Sequence, residues 1–185
     1  MAAGLPSTMW TVGHSTRAWE ELLALLGGYG IEAVADVRRF PGSRRYPWFA
    51  SEAMASGLPA AGIEYLWLPQ LGGRRKVLPG SRNGGWRNAS FQGYADHLDS
   101  AEFAEGLALL LELAGRRRTT MMCAEALWWR CHRALVSDVL KLRGIEVVHI
   151  LAAGQVQVHR YSAAARVDDG RLGYPPMQDG LFGDG

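Results

Sequence analysis

Short apolar runs alternate with amphipathic stretches along the chain. Bounded by turn residues, the apolar runs predict buried strands at residues 10–14, 31–37, 63–68, 119–123 and 145–151, with a short edge strand at 155–159. Apolar residues at helical spacing predict helices at 15–26, 49–56, 100–114 and 128–143, the first capped by Ser15 or Thr16. Because strands alternate with helices, we expect an α/β fold of three layers: a mostly parallel central sheet of about five strands with helices on both faces.

The pattern indicates one domain and two irregular segments. Residues 9–162 carry the alternating elements and form the expected single α/β domain, whereas residues 163–185 are rich in Gly, Asp and Pro and read as a loosely ordered C-terminal tail. Residues 72–90 are rich in Gly, Arg and Asn. A connection of this length is either a functional lid or a poorly ordered loop.

Composition is typical of a soluble globular domain, with 185 residues, of which 48% are hydrophobic and 21% charged. Two cysteines are too few for a disulfide framework, so we expect a reducing compartment. The first residues lack a basic and apolar leader, and no apolar run approaches the roughly 18 residues that a membrane span needs. These features predict a cytoplasmic protein with no membrane partner.

Positive charge is concentrated in one part of the chain. Although the formal net charge is only +2, nine basic and three acidic residues lie between Asp36 and Arg87. The basic residues bracket aromatic side chains at Tyr46, Trp48, Trp67 and Trp86. Guanidinium groups beside aromatic faces suit a phosphate joined to a base. The alternative is that the aromatic residues are core anchors and the arginines pair with acids or face solvent.

Polar residues gather where the predicted strands end. In open parallel sheets ligands bind beyond the carboxyl ends of the strands, so side chains at those ends are candidate site residues. Four segments contribute to this set: His14 and Ser15, Asp36 and Arg38, Gly72 and Gly73, and Cys123 and Glu125. Their convergence on one edge predicts a site there, with His149 of the fifth strand as a further candidate.

Six short motifs follow one another in a specific order between about Thr11 and His159. They are Gly13-His-Ser-Thr16, Asp36-Val-Arg38, Phe40-Pro-Gly-Ser-Arg44, Leu71-Gly-Gly73, Cys123-Ala-Glu125 and Cys131-His-Arg133. With these motifs the chain resembles the bacterial domain-of-unknown-function family 488. The resemblance implies a small cytoplasmic α/β domain. It supplies candidate residues and no reaction.

Cys123 is the candidate nucleophile. A thiol at a strand-to-helix junction, near arginines and a helix N-terminus, is expected to have a lowered pKa. The alternative is a buried structural thiol, since cysteine is among the most buried residue types. Six residues separate Cys123 from Arg130, which argues against the Cys-x5-Arg loop of phosphatase chemistry.

Three further residues are candidates for proton transfer. Glu125 follows a buried strand, so its carboxylate should be paired, with Arg133 or Arg38 as partner, or be hydrated, or act as an acid or base. Asp36 either orients Arg38, acts on a catalytic group or caps a turn. His132 either donates a hydrogen bond to Asp36 or Glu125 or shuttles protons.

No motif identifies a cofactor or a metal. A Walker A sequence is absent, and Gly28-Tyr-Gly30 precedes a strand instead of following one, contrary to a dinucleotide fingerprint. Cys131 and His132 lie at no established metal spacing relative to Cys123. Cys131 falls on the apolar stripe of the predicted last helix, so we interpret it as a buried thiol and expect no metal.

The sequence thus predicts a polar cleft that binds and processes a phosphate-bearing ligand, a nucleotide or a nucleic-acid fragment. Catalysis is assigned to Cys123, Glu125, Asp36 and His132. Ligand binding is assigned to seven residues: His14, Ser15, Arg38, Arg44, Gly72, Gly73 and Arg133. Two alternatives remain, a non-catalytic nucleic-acid-binding module and a scaffold whose polar cluster is purely structural.

Overall fold

A computed structural model describes residues 4–177 of the chain. In chain order its elements are β1 (Thr8–Gly13), α1 (Trp19–Gly28), β2 (Ala33–Asp36), α2 (Ser51–Ala60), β3 (Glu64–Trp67), α3 (Ala89–His97), α4 (Ala101–Arg116), β4 (Thr119–Cys123), α5 (Arg133–Leu142), β5 (Glu146–Ala152), β6 (Gln155–Val158), β7 (Arg166–Asp168) and β8 (Arg171–Gly173). Within residues 4–177, none of the helices is both long and apolar enough to cross a membrane.

The central sheet has six strands in the order β3-β2-β4-β1-β5-β6. The first five are parallel, and β6 adds to β5 in the antiparallel sense. The predicted mostly parallel sheet is therefore confirmed, with the edge strand as its sixth member. Its central strand β4 is buried along its whole length, as parallel strands covered on both faces are.

Helices cover both faces of this sheet, which confirms the three layers. One core packs α1 and α2 against the sheet through residues such as Leu22, Leu26, Met54 and Leu58. The other core packs α3, α4 and α5 against the opposite face, with Leu110 and Leu135 among its fully buried members. Helices α1, α4 and α5 thus bury the apolar face that predicts them.

Helix α3 is not expected from the sequence, which predicts a loop at residues 72–90 and no element between that loop and the helix predicted at residue 100. Asn88 caps this helix by accepting a hydrogen bond from the amide of Ser90 at 2.8 Å. Gly93 in its middle lowers helix propensity, yet a Cβ there would lie 2.3 Å from the carbonyl oxygen of Arg75. The glycine is what allows the arginine-rich loop to pack directly on the helix.

That loop is held by specific bonds. The carboxylate of Asp96 accepts from the amide of Leu78, the hydroxyl of Ser81 and the amide group of Asn83, at 2.6–2.9 Å. Tyr94 donates to the carbonyl of Leu71 at 2.6 Å. The loop therefore has a defined conformation, bonded to α3, and is not poorly ordered. A function as a lid stays a prediction.

Two predicted helix boundaries were wrong. Helix α1 begins at Trp19, and Ala18 is its N-cap. The amide of Ala18 donates to the carboxylate of Glu21 at 2.7 Å. The predicted caps fail because Ser15 has a left-handed φ of 50° and donates its amide to the carbonyl of Ala124. The predicted helix 128–143 is a 3-10 turn at Trp128–Arg130 followed by α5, since the backbone is extended at Cys131.

The chain beyond residue 162 was expected to be loosely ordered. Strands β7 and β8 form an antiparallel hairpin there. Tyr174 is 2% exposed and donates its hydroxyl to Asp138 of α5 at 2.9 Å. Residues 163–177 therefore pack on the domain, while the last part of the predicted tail, 178–185, lies outside the described residues.

Candidate active site

The site forms where the sheet changes its direction of winding. Strands β1 and β4 are adjacent, yet α1 leaves β1 toward one face and α5 leaves β4 toward the other. Such a switch point opens a crevice at the carboxyl ends of the two strands. Gly13 pairs with Cys123 in this register, and a Cβ on Gly13 would lie only 2.0 Å from the carbonyl oxygen of Glu125. The glycine thus lets the chain after β4 cross over β1.

A cleft of about 360 Å³ occupies this crevice. Its lining combines two thiols with basic, aromatic and small polar groups: Cys123, Cys131, His132, Arg38, Arg39, Arg74, Arg130, Glu125, Phe40, Phe91, Gly73, Asn88 and Ser90. Three separate segments supply it, the loop after β2, the arginine-rich loop with the start of α3, and the chain between β4 and α5.

The thiols and the imidazole form one cluster. The sulfur atoms of Cys123 and Cys131 and a ring nitrogen of His132 all lie within 4.8 Å of one another. His132 Nδ1 is 3.6 Å from Cys131 Sγ, and its Nε2 is 2.9 Å from the carbonyl oxygen of Val37. Because that carbonyl only accepts, Nε2 carries a proton, which fixes Nδ1 toward the thiol. The expected bond from His132 to Asp36 or Glu125 was wrong.

The two thiols have opposite electrostatic environments. Burial alone would raise the pKa of Cys131, but hydrogen bonds from Cys123 and the charges of His132 and Arg133 hold that pKa well below its usual range. The amide of Arg133 also donates to Cys131 Sγ at 3.5 Å. The hydrogen bond to Cys131, together with burial, raises the pKa of Cys123. The expected lowered pKa thus belongs to Cys131 and not to Cys123.

The donor set also matters for metals. Two sulfurs and an imidazole nitrogen within 4.8 Å are close enough to bind a soft cation. They are one donor fewer than a closed structural zinc site requires. The expectation of no metal stays a prediction, and the experiments below are therefore done with a chelator present.

Gly73 packs directly against the imidazole of this cluster. A Cβ at Gly73 would lie 2.9 Å from His132 Nδ1. We expect Gly73→Ala to push the ring away from Cys131 and to slow alkylation of that thiol at pH 6 by about 3- to 10-fold. Gly42→Ala is the matched control, because a Cβ there meets nothing within 4 Å. Equal alkylation rates in the two variants would contradict this contact.

A buried ion pair lies beneath the cleft. The Asp36 carboxylate is fully buried and accepts from Arg38 Nε at 2.8 Å, Arg38 Nη2 at 2.6 Å and the hydroxyl of Tyr65 at 2.7 Å. Arg38 Nη1 also donates to the carbonyl of Phe49 at 2.8 Å and to Nε2 of His14 at 3.2 Å. Asp36 therefore orients Arg38, which was one of its three predicted roles.

His14 is held neutral by this pair. Since Arg38 donates to its Nε2, the proton of the imidazole lies on Nδ1, which donates to the carbonyl of Ser15 at 3.0 Å. Burial and the charge of Arg38 lower the pKa of His14 to about 4. Its ring stacks on Phe49 with centroids 4.1 Å apart. His14 thus fixes the loop below the cleft and is not among the residues that line it.

A directed chain of hydrogen bonds runs through the core from Arg133. Its Nη1 donates to Thr11 at 3.2 Å, and Thr11 lies 2.7 Å from His149 Nδ1. His149 Nε2 lies 3.0 Å from His159 Nδ1, and His159 Nε2 lies 2.8 Å from Asp138. With one proton on each imidazole, every donor in this chain meets an acceptor. The chain joins a buried cation to a buried carboxylate and holds Arg133 in place.

The neutral histidines make stability depend on pH. Burial, with the neighbouring His159 and Arg133, lowers the pKa of His149 to about 2. Because His14 and His149 have folded pKa values below 6.5, the unfolded chain takes up their protons first. Their contribution to the free energy of unfolding is fully present above about pH 6.5 and is lost as the pH falls. Between pH 6 and 4.5 we expect a loss of about 2.7 kcal/mol per pH unit from these two groups.

Urea unfolding at pH 7, 6 and 5 measures this slope. Burial also lowers the pKa of His97, so its contribution has the same sign. His149→Gln should remove about half of the slope while keeping an amide for hydrogen bonding. Equal free energies of unfolding at pH 7 and pH 5 would contradict the neutral, buried state of these histidines.

The structure brings together only part of the predicted site. Five of its residues line the cleft: Cys123, Glu125, His132, Arg38 and Gly73. Asp36, His14 and Arg133 lie in the layer below and are buried. Gly72 packs against Arg39, where a Cβ would lie 2.5 Å from the Cβ of that arginine. Ser15 and Arg44 are not among the lining residues.

The expected partners of Glu125 were also wrong. Its side chain is exposed, and Arg133 donates Nη2 to the main-chain carbonyl of Glu125 instead of its carboxylate. Arg38 is occupied by Asp36. The Glu125 carboxylate therefore lies at the rim of the cleft and faces solvent, which removes the desolvation argument for a pairing.

Several lining residues were not singled out from the sequence as part of one site. Arg39, Arg74 and Arg130 come from three segments, and Asn88 and Ser90 lie at the unexpected start of α3. The signal for Arg39 and Arg74 was the basic stretch itself. The apolar stripe predicts Cys131 as a buried thiol; it is indeed only 4% exposed, and it also lines the cleft.

Comparison with known proteins identifies the family. A family model described as "Domain of unknown function DUF488" matches residues 18–140. No curated protein and no solved structure matches the chain. The matched range contains the loop after β2, the arginine-rich loop and the segment from β4 to α5, which together line the cleft. Because the match covers well over half of its length, the chain belongs to the DUF488 family.

Proposed function

We propose that the cleft binds a phosphate-bearing ligand, a nucleotide or a nucleic-acid fragment, and that Cys131 acts on it as a nucleophile activated by His132. The observation that carries the proposal is the Cys131–His132–Val37 arrangement on the wall of an arginine-lined cleft. A thiol beside an imidazole whose other nitrogen is anchored is the geometry of an activated cysteine. Cys123 is the neighbouring thiol, with its sulfur within 4.8 Å of the Cys131 sulfur.

Three arginines supply the anion-binding groups. Arg39, Arg74 and Arg130 line the cleft, and within residues 4–177 none of them forms an ion pair. Arg38 and Arg133 differ from them in being buried, with their guanidinium groups bonded inside the protein, whereas Arg39 gives one N–H to the carbonyl of Arg74. Guanidinium groups bind phosphate oxygens in a bidentate manner and remain charged at all working pH values.

An aromatic surface adjoins these charges. Phe40 is 66% exposed, lines the cleft, and lies under the Arg39 guanidinium at 5.5 Å from its ring centroid. An exposed aromatic ring beside phosphate-binding groups suits a nucleobase, because stacking contributes about 1–3 kcal/mol per base. The combination supports a nucleotide unit over a simple inorganic anion.

The reaction is a substitution at an electrophilic atom of the ligand. The Cys131 thiolate forms a bond to that atom while the bond to the leaving group breaks, and the electron pair departs with the leaving group. His132, protonated beside the thiolate, gives its Nδ1 proton to the leaving group. Water then attacks the same atom, the bond to the Cys131 sulfur breaks and restores the thiolate, and the exposed Glu125 at the rim takes the proton of that water. Asp36 is a positioning residue that acts through Arg38.

Binding to three probes tests the anion site. We expect the ten-nucleotide single-stranded DNA to bind most tightly, AMP less tightly and inorganic phosphate least, because the number of contacts that each can make falls in that order. Arg130→Gln should weaken AMP binding about tenfold, whereas Arg143→Gln serves as the matched control, because Arg143 is exposed and follows the end of α5 that is farther from the cleft. If Arg130→Gln and Arg143→Gln bind every probe like the parent, the phosphate site is wrong.

A non-catalytic nucleic-acid-binding module is the second candidate, and the exposure of Trp129 favours it. That residue is 48% exposed and adjoins Arg130. In this case the oligonucleotide binds with a log-log salt slope of about 0.7 per phosphate contact, and Cys131→Ser leaves binding unchanged with no turnover in the parent. A purely structural cluster would instead give no binding and no salt dependence.

A further inference from the structure

We infer that Cys131 and Cys123 form a reversible disulfide, in which peroxide oxidises Cys131 and Cys123 resolves the oxidised sulfur. The inference rests on the proposed function only in using the same Cys131 thiolate. It assigns to the cleft a second, redox activity that converts the active thiol into an inactive form.

The two sulfurs are neighbours on separate segments of chain. Cys123 is the last residue of the fully buried strand β4. Cys131 has an extended backbone and lies between the 3-10 turn at Trp128–Arg130 and α5. Their sulfur atoms lie within 4.8 Å, whereas a disulfide bond is about 2.05 Å long. To close this gap the Cys131 side chain must rotate. The rotation breaks the contacts of its sulfur with His132 Nδ1 and with the amide of Arg133.

The pair has the asymmetry that disulfide formation needs. An attacking thiol reacts as its thiolate, and the environment of Cys131 favours that form. Cys123 is favoured in its protonated form beside it. Cys131 is therefore the sulfur that meets the oxidant first, and Cys123 brings the proton that the second step consumes.

Both steps balance with peroxide as the oxidant. The Cys131 sulfur attacks one oxygen of the peroxide, the O–O bond breaks, and the departing alkoxide or hydroxide takes the proton of His132; the sulfur becomes a sulfenic acid. The Cys123 sulfur then attacks the sulfenic sulfur, the S–O bond breaks, and hydroxide leaves as water with the Cys123 proton. Two thiols and one peroxide thus give a disulfide, an alcohol or water, and water.

The cleft restricts which oxidant can reach the pair. Cys123 is only 8% exposed and Cys131 only 4%, and both are reached through the cleft. Hydrogen peroxide is small enough to enter this cleft, and any oxidant must pass lining residues such as Phe40 and Phe91. A nucleotide held in the cleft would cover the same entrance, so AMP should slow the oxidation.

Peptide mass spectrometry of the full chain treated with hydrogen peroxide and a chelator tests the inference. We expect a Cys123–Cys131 cross-link that dithiothreitol reverses. Cys123→Ser should instead accumulate a sulfenic acid on Cys131 that dimedone captures. In Cys131→Ser, oxidation of Cys123 should be at least about tenfold slower than in the parent. Thermal melting of each variant shows that it remains folded.

Two outcomes would overturn the inference. One is oxidation of Cys131 to sulfinic acid in the parent with no cross-link, and the other is equal oxidation of Cys123 in the parent and in Cys131→Ser. The proposed function fails separately. Alkylation of Cys131 at low pH without a cross-link would support the activated nucleophile and contradict only the disulfide. A cross-link whose rate no phosphate compound lowers would support the disulfide and contradict only the phosphate-bearing ligand.

Discussion

Replacing Asp36 with alanine is expected to destabilise the protein by about 3–5 kcal/mol, because it leaves the guanidinium of Arg38 buried without its counter-charge. Arg38 is 7% exposed and Asp36 is 0% exposed, so water cannot take over the lost bonds. The effect should extend to His14 and Phe49, which accept from the same guanidinium. Chemical unfolding at pH 7 measures the loss.

Glu64→Ala is the matched control for this variant. Glu64 pairs with Arg116 at 2.6 Å, but the two side chains are 35% and 48% exposed. An exposed pair of this kind contributes about 0–1 kcal/mol. If Asp36→Ala loses no more stability than Glu64→Ala, the carboxylate is not the anchor of the layer beneath the cleft.

Replacing His132 with alanine is expected to slow alkylation of Cys131 at pH 6 by about 10- to 100-fold. The imidazole lies 3.6 Å from the sulfur and its charge favours the thiolate. Without it the thiol pKa rises toward its usual value, and the reactive fraction at pH 6 drops. Rates of iodoacetamide labelling, read peptide by peptide, measure the effect.

His97→Ala is the control for general effects of losing a buried histidine. His97 bonds the carbonyl of Gln70 at 2.7 Å and the hydroxyl of Ser100 at 2.9 Å, and it is not among the residues that line the cleft. We expect it to change stability and to leave Cys131 labelling unchanged. Equal labelling of the parent and of His132→Ala at pH 6 would show that the imidazole does not activate the thiol.

The fold was largely predictable because its signals are local. Five apolar runs and their intervening amphipathic stretches predict a parallel sheet with helices on both faces, and the structure has it. Helix α3 was missed because Gly93 masks its propensity, and the reason for that glycine is a contact with Arg75 that no local pattern reveals. The boundary of α1 was missed for the same kind of reason, since Ser15 is bonded to Ala124.

The site was predictable only in its location. Residues at strand ends are expected to converge, and four of them, Arg38, Gly73, Cys123 and Glu125, do line one cleft. Which of them face the cleft depends on bonds between distant residues. Arg133 bonds to Thr11 and is held inside the protein, and Arg38 lines the cleft but gives one N–H to His14. The role of Cys131 depends on an extended backbone at a position where the apolar stripe predicts a helix. This interruption of the predicted helix at Cys131 also brings its sulfur within 4.8 Å of the Cys123 sulfur.

The pH dependence of alkylation at Cys131 and Cys123 tests the central claim most directly. Iodoacetamide labelling of the reduced full chain is followed at each cysteine from pH 5 to 9, with a chelator present and with or without AMP. We expect Cys131 to label well below the free-thiol pKa of about 8.5, Cys123 to label only above it, and AMP to protect Cys131. Labelling of Cys123 at lower pH than Cys131, or inertness of both thiols until the protein unfolds, would contradict an activated Cys131 in this cleft.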